Sequence, residues 1–311
     1  MPRPRAPDEA ASPTGRPARN TPPAVAAAAA RLGRDPRFRQ ALCDYCHGMA
    51  APAPIPWPVY KMFDQLGRYL VSYMLIHNYY RWRHAGGPAP TMSALQAVAG
   101  SSARRTAGFV AALKLGRFVA VEADPADRRV KLLRPEPAMV AEIGRSMRLF
   151  VAVADAVAGR RPGRAARLAD PDRLGEVVRR SAAAVLADGT LLHGFPRVLH
   201  FTLRDCGYPL LCAVVGAHYA LAVPGAPPAV PLGRRALAAR FQVSPAHIGN
   251  LVGEAERQGW FAVGRGGRLA FLSGDLLAEF ERWAAGQTAH FDAVAGAALA
   301  APPRRGPDAP A

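Results

Sequence analysis

Arginine supplies nearly all of the positive charge in this chain, because lysine is found only at positions 61, 114 and 131. The guanidinium group is planar and can bind a phosphate or the edge of a guanine through two parallel hydrogen bonds. Two arginine pairs, each next to hydroxyl or turn-forming residues, therefore suit contact with nucleic acid. The residues expected to make that contact are Ser101, Ser102, Arg104, Arg105, Thr106, Arg128, Arg129 and Lys131.

A second set of side chains suited to the same task lies later in the chain. Asn250 can bond the edge of an adenine, and Arg265 and Arg268 lie in a glycine-rich segment, Gly264-Arg-Gly-Gly-Arg268. That segment is not a phosphate-binding loop, because it joins two predicted strands and no helix follows it directly. The second set comprises Ser244, His247, Asn250, Arg265 and Arg268.

The cysteines permit a different chemistry. Cys43-Asp-Tyr-Cys46-His47 has the spacing of a c-type haem attachment site, but that chemistry needs export, and the proline-broken first thirty residues predict no export signal. A zinc or redox site could instead join Cys43, Cys46 and His47 to Cys206 or Cys212. Only one Cys-x-x-Cys is present, and Cys206 and Cys212 are not spaced to share one helical face. We therefore predict no metal and no cofactor.

Charge is distributed unevenly along the sequence. The 40 basic and 23 acidic residues give a formal net charge of +17, and residues 86–134 hold eight basic and three acidic residues, a net +5. Residues 273–311 hold three basic and five acidic residues, a net −2. A regional basic excess favours a polyanionic partner, although coding-sequence bias also enriches arginine.

Catalysis and membrane insertion are not indicated by the sequence. No Ser/His/Asp order, acidic metal cluster or nucleotide-binding fingerprint rises above chance, so we predict that the chain is not an enzyme. The longest apolar stretch, residues 208–223, is shorter than a span of about 20 residues and contains His218. It predicts a buried helix, and hence a cytoplasmic protein without a membrane partner.

The elements that would position the first basic cluster are two short helices and a hairpin. A helix is expected to begin at Thr91 or Ser93 and to end at Gly100. Ser101 or Ser102 then caps a second helix that turns Thr106, Phe109, Val110 and Leu113 inward, while its exposed first turn presents Arg104, Arg105 and Thr106. Two strand-like runs, 118–122 and 130–133, flank a turn at 124–127. This is the winged helix-turn-helix order, in which a helix enters the major groove of DNA and the hairpin reaches the adjacent backbone.

The same order recurs in the second half of the chain. Leu70 matches Leu210 at an offset of 140, Ser102 matches Ser244 at 142, and Gly116-Arg-Phe matches Gly259-Trp-Phe at 143. In the second copy a turn with Gln242 where glycine is preferred precedes a helix capped by Ser244, and the hairpin spans 260–272. His247 and Asn250 are expected to face outward.

Long helices are expected to join the two copies. From Lys61 to about Arg83, apolar and aromatic residues recur at steps of three and four, which predicts a helix that packs along one side. We predict a mainly α fold with small β-hairpin wings, in which two winged helix-turn-helix domains form a pseudo-dimer around helices 61–83 and 207–222. The predicted division is a disordered tail at 1–30, a first domain at 31–160 with its wing at 117–134, a helical linker at 161–206, a second domain at 207–292 with its wing at 260–272, and a disordered tail at 293–311.

Residues 60–158, and more loosely 207–290, resemble the MarR family of winged-helix transcriptional regulators. The resemblance is based on the long helix before the motif, the Asp124-Pro-Ala-Asp-Arg-Arg129 wing and the helix after it. It implies a regulator that binds palindromic double-stranded DNA as a dimer; two copies in one chain leave a monomeric pseudo-dimer or a homodimer open. A small aromatic effector is a possible partner, with Tyr69, Tyr73, His77 and Tyr80 as candidate pocket residues, although aromatic residues at helical spacing more often form a core.

The sequence thus favours sequence-specific double-stranded DNA binding by a transcriptional regulator with two reading heads. Two alternatives remain open. A replication-initiator or partition protein also uses paired winged helices on DNA, and some winged helices bind only other proteins.

Overall fold

A computed structural model describes residues 21–52 and 62–300. Most of the described residues are helical, and the strands in this part of the chain form two separate antiparallel hairpins of two strands each. The prediction of a mainly α fold with two small hairpins is confirmed.

The first half contains seven helices and one hairpin among the described residues. The helix that follows the second strand is broken at Gly144, where a single helix was expected. The elements are α1 (Pro23–Leu32), α2 (Arg37–Ala50), α3 (Leu66–Ala85), α4 (Met92–Val98), α5 (Ala103–Leu115), β1 (Val119–Ala123), β2 (Lys131–Pro135), α6 (Pro137–Ile143) and α7 (Arg145–Ala158).

The second half repeats part of this order and ends in a helix of 27 residues. Two 3-10 turns, at Leu191–Gly194 and Arg265–Gly267, interrupt the connections. The elements are α8 (Arg164–Arg167), α9 (Pro171–Asp188), α10 (Pro196–Thr202), α11 (Gly207–Ala222), α12 (Arg234–Phe241), α13 (Pro245–Arg257), β3 (Phe261–Val263), β4 (Leu269–Leu272) and α14 (Gly274–Ala300).

Two short helices and a hairpin occur twice at a constant offset of 142 positions, from the first short helix to the first strand. In both copies the residue before the first strand donates its backbone N–H to a carbonyl five residues earlier, from Phe118 to Leu113 and from Trp260 to Ala255, at 2.8 and 2.9 Å. The matched pairs are Leu95 and Leu237, Ser102 and Ser244, Leu113 and Ala255, Arg117 and Gly259, and Phe118 and Trp260. The expected offset of 143 at Gly116 is therefore corrected to 142, with Arg117 as the partner of Gly259.

Each copy makes two turns, and in each turn one residue has a left-handed backbone conformation at matched positions. The turn between the short helices uses Gly100 (φ 65°) in the first copy and Gln242 (φ 53°) in the second. The turn before the hairpin uses Arg117 (φ 57°) and Gly259 (φ 67°). A side chain at such an angle crowds the following carbonyl, so glycine is the least strained residue there. Each copy thus has one favourable and one strained turn.

The long helices α3 and α11 have other partners than the predicted ones. α3 packs mainly against α9, to which Tyr73, His77 and Tyr80 donate or accept hydrogen bonds of 2.7–3.2 Å. The close approach requires Gly175, because a Cβ atom there would overlap the ring of Tyr80. α11 packs mainly against α2. The expected shared core of helices 61–83 and 207–222 is therefore corrected to two different helix pairs.

The predicted helical linker 161–206 is part of the core. Its helix α9 packs against α3, α6 and α14, and most of the buried apolar residues from Phe38 to Ala295 form one connected cluster. The carboxylate of Glu279 on α14 is buried and accepts hydrogen bonds from the backbone N–H groups of Arg197 and Val198, at the start of α10. This carboxylate satisfies N–H groups that have no partner within the helix. The boundaries between domains stay a prediction.

Both predicted tails contain helix where the structure describes them. Residues 23–30 lie in α1, which packs against α14, and residues 293–300 are the last turns of α14. The prediction of disorder is corrected for these residues. Their alanine-rich composition resembles a solvated tail, but small side chains also allow two helices to lie close together.

We expect Gln242→Gly to raise the free energy of unfolding by about 0.5–1 kcal/mol, because glycine removes the strain of a left-handed Cβ and loses part of that gain through greater freedom in the unfolded chain. The matched control is Gln258→Gly at an ordinary helical angle, φ −80°, which should cost about 0.5–1 kcal/mol. Urea denaturation would measure both. A loss of stability in both variants would contradict the strain at Gln242.

Candidate nucleic-acid interface

The first turn of α5 presents two arginines to solvent. Ser102 precedes the helix, and its Oγ accepts hydrogen bonds from the backbone N–H of Arg105 at 3.4 Å and from Arg105 Nε at 3.1 Å. Arg104 and Arg105 are exposed, and Arg104 makes no hydrogen bond or ion pair with any described residue. Ser101 is half-buried and Ser102 is exposed. The predicted cap at Ser102 is confirmed, so its oxygen already serves the helix as an acceptor.

The opposite side of α5 is locked into the core. Val110 and Leu113 are fully buried, and Thr106 is also fully buried. The inward direction predicted for Thr106 is confirmed, and its predicted place in the DNA-contacting turn is corrected: its hydroxyl is buried and has no hydrogen-bond partner in the described chain. In an α-helix, residues 106, 110 and 113 share one side, so burying the other two carries Thr106 inward.

The first hairpin holds its basic residues at the tip. Asp124 and Asp127 accept hydrogen bonds from the backbone N–H groups of Ala126 and Arg129, at 2.8 and 3.0 Å, which closes the turn. The two carboxylates therefore organise the backbone. Arg128 and Arg129 are exposed, and their guanidinium groups make no ion pair with any residue described. Lys131 is exposed, and its Nζ donates to the Arg128 carbonyl at 3.2 Å.

Two further basic residues, at the end of α5 and just after it, were not among the predicted site residues. Lys114, in the last turn of α5, and Arg117, in the left-handed turn, are both exposed. Lys114 lies ten residues after Arg104, about 80° away around the helix axis, so its charge and not its spacing was the signal for its exposure. The left-handed backbone of Arg117 had no comparable signal, because a left-handed arginine is not expected from sequence.

The equivalent helix of the second copy is differently arranged. Ser244 caps α13 by accepting the His247 backbone N–H at 3.1 Å, and Asn250 is exposed as predicted. His247 is half-buried, and its Nε2 lies 2.9 Å from the backbone oxygen of Asp205, so the expectation that it faces outward is corrected. The imidazole joins α13 to the segment before α11 and is engaged within the protein.

The two copies also differ in the net charge of their second short helix, α5 in the first copy and α13 in the second. The sequence of α5 contains three basic residues and no acidic residue, a net +3. The sequence of α13 contains two glutamates and one arginine, a net −1. The second hairpin does keep exposed arginines, Arg265 and Arg268. Phosphate contacts gain from positive charge, so the helix of the first copy is much better suited to a duplex than that of the second.

The four cysteines are buried, free thiols. Among the described residues no group of three or more His, Cys, Asp or Glu side chains could hold a metal ion. Cys43 Sγ lies 3.9 Å from His47 Nδ1, but His47 Nε2 lies 2.8 Å from the Pro228 backbone oxygen. Burial raises the pKa of Cys46 well above its usual value and that of Cys206 to about 12. Thiols with raised pKa values are weak nucleophiles at neutral pH.

A cavity of about 220 Å³ lies between α2, α3, α7, α9 and α14. Of the four predicted pocket residues, Tyr69 and Tyr73 line it. His77 and Tyr80 do not, because their polar atoms bond to α9 away from the cavity: His77 Nδ1 lies 2.9 Å from the Arg179 carbonyl, and Tyr80 donates to Asp172 at 3.0 Å. The predicted pocket is corrected to this extent.

Two features connect the cavity wall to its surroundings. Tyr73 donates to Ser181 Oγ at 2.7 Å, and that oxygen lies 2.8 Å from His290 Nε2, which forms a buried chain across α3, α9 and α14. Phe63 also lines the cavity, and its ring contacts the ring of Phe118 edge to face, with centroids 5.0 Å apart. The cavity wall therefore contacts, through Phe63, the residue that precedes the first hairpin.

Comparisons of the chain with models of known protein families, with curated proteins and with solved structures found no match. Within the described ranges, no helix combines the length and apolar character needed to span a bilayer. A function for the chain therefore has to follow from geometry and charge.

We expect the free energy of unfolding to fall as pH drops below about 7, in part through His290. Burial lowers the pKa of His290 from its usual 6.5, so the unfolded chain takes up a proton before the folded one does. Stability from this group is complete above the unfolded pKa and is lost as pH falls toward the folded pKa, with a slope of up to about 1.4 kcal/mol per pH unit. Urea denaturation from pH 7.5 to 5 should show a shallower dependence in His290→Gln than in the control His193→Gln. Equal slopes in the two variants would rule out this contribution.

Proposed function

We propose that the chain is a sequence-specific double-stranded DNA-binding protein, of the transcriptional-regulator type, built on two winged helix-turn-helix units. The observation that supports this most is the first unit: two exposed arginines begin a helix whose other side is buried, and two more lie at the tip of the following hairpin. None of the four guanidinium groups makes an ion pair with a described carboxylate. Such unpaired, clustered arginines suit a polyanion.

In the proposed complex α5 lies in the major groove. Arg104 and Arg105 are at its N-terminal end, where the backbone N–H groups and the helix dipole also favour phosphate. Arg128 and Arg129 reach the neighbouring backbone or minor groove from the hairpin. Lys114 and Arg117 add positive charge between these two points. Phosphate contacts position the helix, and arginine contacts with guanine edges provide discrimination between sequences.

The second unit has a supporting role in this proposal. Its helix has a net charge of −1 and its His247 is bonded to Asp205 within the protein, so we assign the main duplex contact to the first unit. Arg265 and Arg268 can still contact DNA backbone from the second hairpin.

A second candidate function, protein binding by the second unit, is favoured by one observation. Phe271 on β4 is 51% exposed, on a hairpin whose preceding helix has a net charge of −1. An exposed aromatic side chain beside a nearly neutral helix is more typical of a protein contact than of a DNA contact. Under this alternative the second unit would recruit a partner while the first binds the duplex.

The double variant Arg104→Ala/Arg105→Ala should bind duplex DNA more weakly and with a shallower salt dependence. Each lost phosphate contact changes the slope of log K against log salt concentration by about 0.9, so the loss of two should change it by about 1.8. Fluorescence anisotropy at several salt concentrations would measure this. The control Arg31→Ala/Arg34→Ala removes the same charge from exposed positions near α1 and should keep the wild-type slope. An unchanged slope in the first variant would exclude α5 as the contacting helix.

The hairpins offer a matched comparison between the units. We expect Arg128→Ala/Arg129→Ala to weaken DNA binding more than Arg265→Ala/Arg268→Ala, although both remove two exposed arginines. The reason is that only the first hairpin follows a helix with a net charge of +3. Titrations of both variants against one duplex would decide. A larger loss from the second hairpin would reverse the assignment of the main reading head.

A further inference from the structure

The cavity beneath α3 is large enough for a small molecule, and its wall is mainly apolar. An apolar cavity of about 150 Å³ can hold benzene, so the present volume of about 220 Å³ corresponds to roughly nine non-hydrogen atoms. Aromatic rings supply much of its wall. They include Phe63, Tyr69, Tyr73, Phe150, Trp283 and Phe291.

Trp283, one of the residues that line this cavity, has a buried donor without an acceptor. Trp283 is 6% exposed, and its Nε1–H has no hydrogen-bond partner within the described chain. Its ring is held edge to face against Phe150 and Tyr208, with centroids 5.5 Å apart in both cases. A buried N–H without a partner costs about 1–3 kcal/mol, so an occupant with an acceptor would recover free energy that the empty site loses.

The charged groups of the wall disfavour an anion. Three carboxyl groups line the cavity, those of Asp64, Glu142 and Asp188, against one guanidinium, that of Arg145. Arg145 already pairs with Glu142 at 3.0 Å. Burial raises the pKa of Asp64 well above its usual value, although Arg145 opposes the shift. A ligand with a negative charge would therefore lose its hydration without gaining a cationic partner, because the one guanidinium on the wall already pairs with Glu142.

We propose that this cavity is a binding site for an uncharged aromatic compound that has one hydrogen-bond acceptor, which takes the N–H of Trp283. Exposed residues such as Pro22 and Asp188 are among the lining residues, so the cavity reaches the surface. The site is distinct from the basic face of α5 and does not depend on the proposed DNA binding.

Three probes of nearly equal shape separate the contribution of the hydrogen-bond acceptor from that of a negative charge. Acetophenone, cumene and benzoate each place a similar group on one phenyl ring; the first has a neutral acceptor, the second has none and the third is anionic. Isothermal titration of the full chain without DNA should give saturable acetophenone binding, with a Kd on the order of 0.1 mM for so small a ligand. Cumene and benzoate should each bind about tenfold or more weakly. No saturable acetophenone binding, or benzoate binding as tightly as acetophenone, would overturn the proposal.

Two variants and a control test the location. Trp283→Phe keeps a ring but removes the donor, so it should weaken acetophenone binding about tenfold and leave cumene within about twofold. Ala184→Phe fills the cavity from α9 and should abolish binding of both. The control Ala183→Phe places the same ring on the exposed side of α9 and should bind as wild type. Equal loss of both ligands in Trp283→Phe, or equal behaviour of the two alanine variants, would refute the assignment.

Discussion

Burial of one side of α5 is the constraint on which the candidate interface depends. Val110 and Leu113 are fully buried, and complete burial of such side chains stabilises a fold by about 1.5–3 kcal/mol each. Because side chains project from a helix in fixed directions, this burial decides that Arg104 and Arg105 face solvent. Arg105 Nε also donates to Ser102 Oγ, whereas the Arg104 guanidinium has no hydrogen-bond partner among the described residues. The exposed charge is a consequence of the core behind it.

Local features of the fold could be predicted from the sequence, whereas the pairing of helices could not. The cap at Ser102 and both hairpins follow from hydroxyl, glycine and alternating residues close together in the chain. The partner of a helix depends on the shapes of two surfaces distant in sequence. Thus the stripe on α3 correctly predicted a packed side, but its contact with α9 depends on Gly175, whose missing Cβ admits the ring of Tyr80. Periodicity contains no such information.

The candidate site shows the same limit at the level of single side chains. Exposure of Arg104 and Arg128 was predictable, since charged residues rarely enter a core. The position of His247 was not, because an amphipathic side chain can lie on either side of a surface and only the complete fold selects the side. The sequence placed Thr106 both on the inner side of the helix and in the DNA-contacting turn, and only the first is confirmed. The internal repeat was misleading in one respect. A helix-turn-helix requires a cap and a left-handed turn but no charge, so two copies can share the fold and differ in charge.

Phe63 lines the cavity, and Phe118 precedes the first hairpin. Their rings are in edge-to-face contact, so the cavity wall and the start of the hairpin are joined directly. Both rings are buried and in contact, so a movement of Phe63 from the cavity toward the hairpin would displace Phe118. If the cavity and the hairpin each bind a partner, this contact provides a route for thermodynamic linkage. Such linkage is reciprocal: the factor by which an aromatic compound changes affinity for a duplex equals the factor by which the duplex changes affinity for the compound.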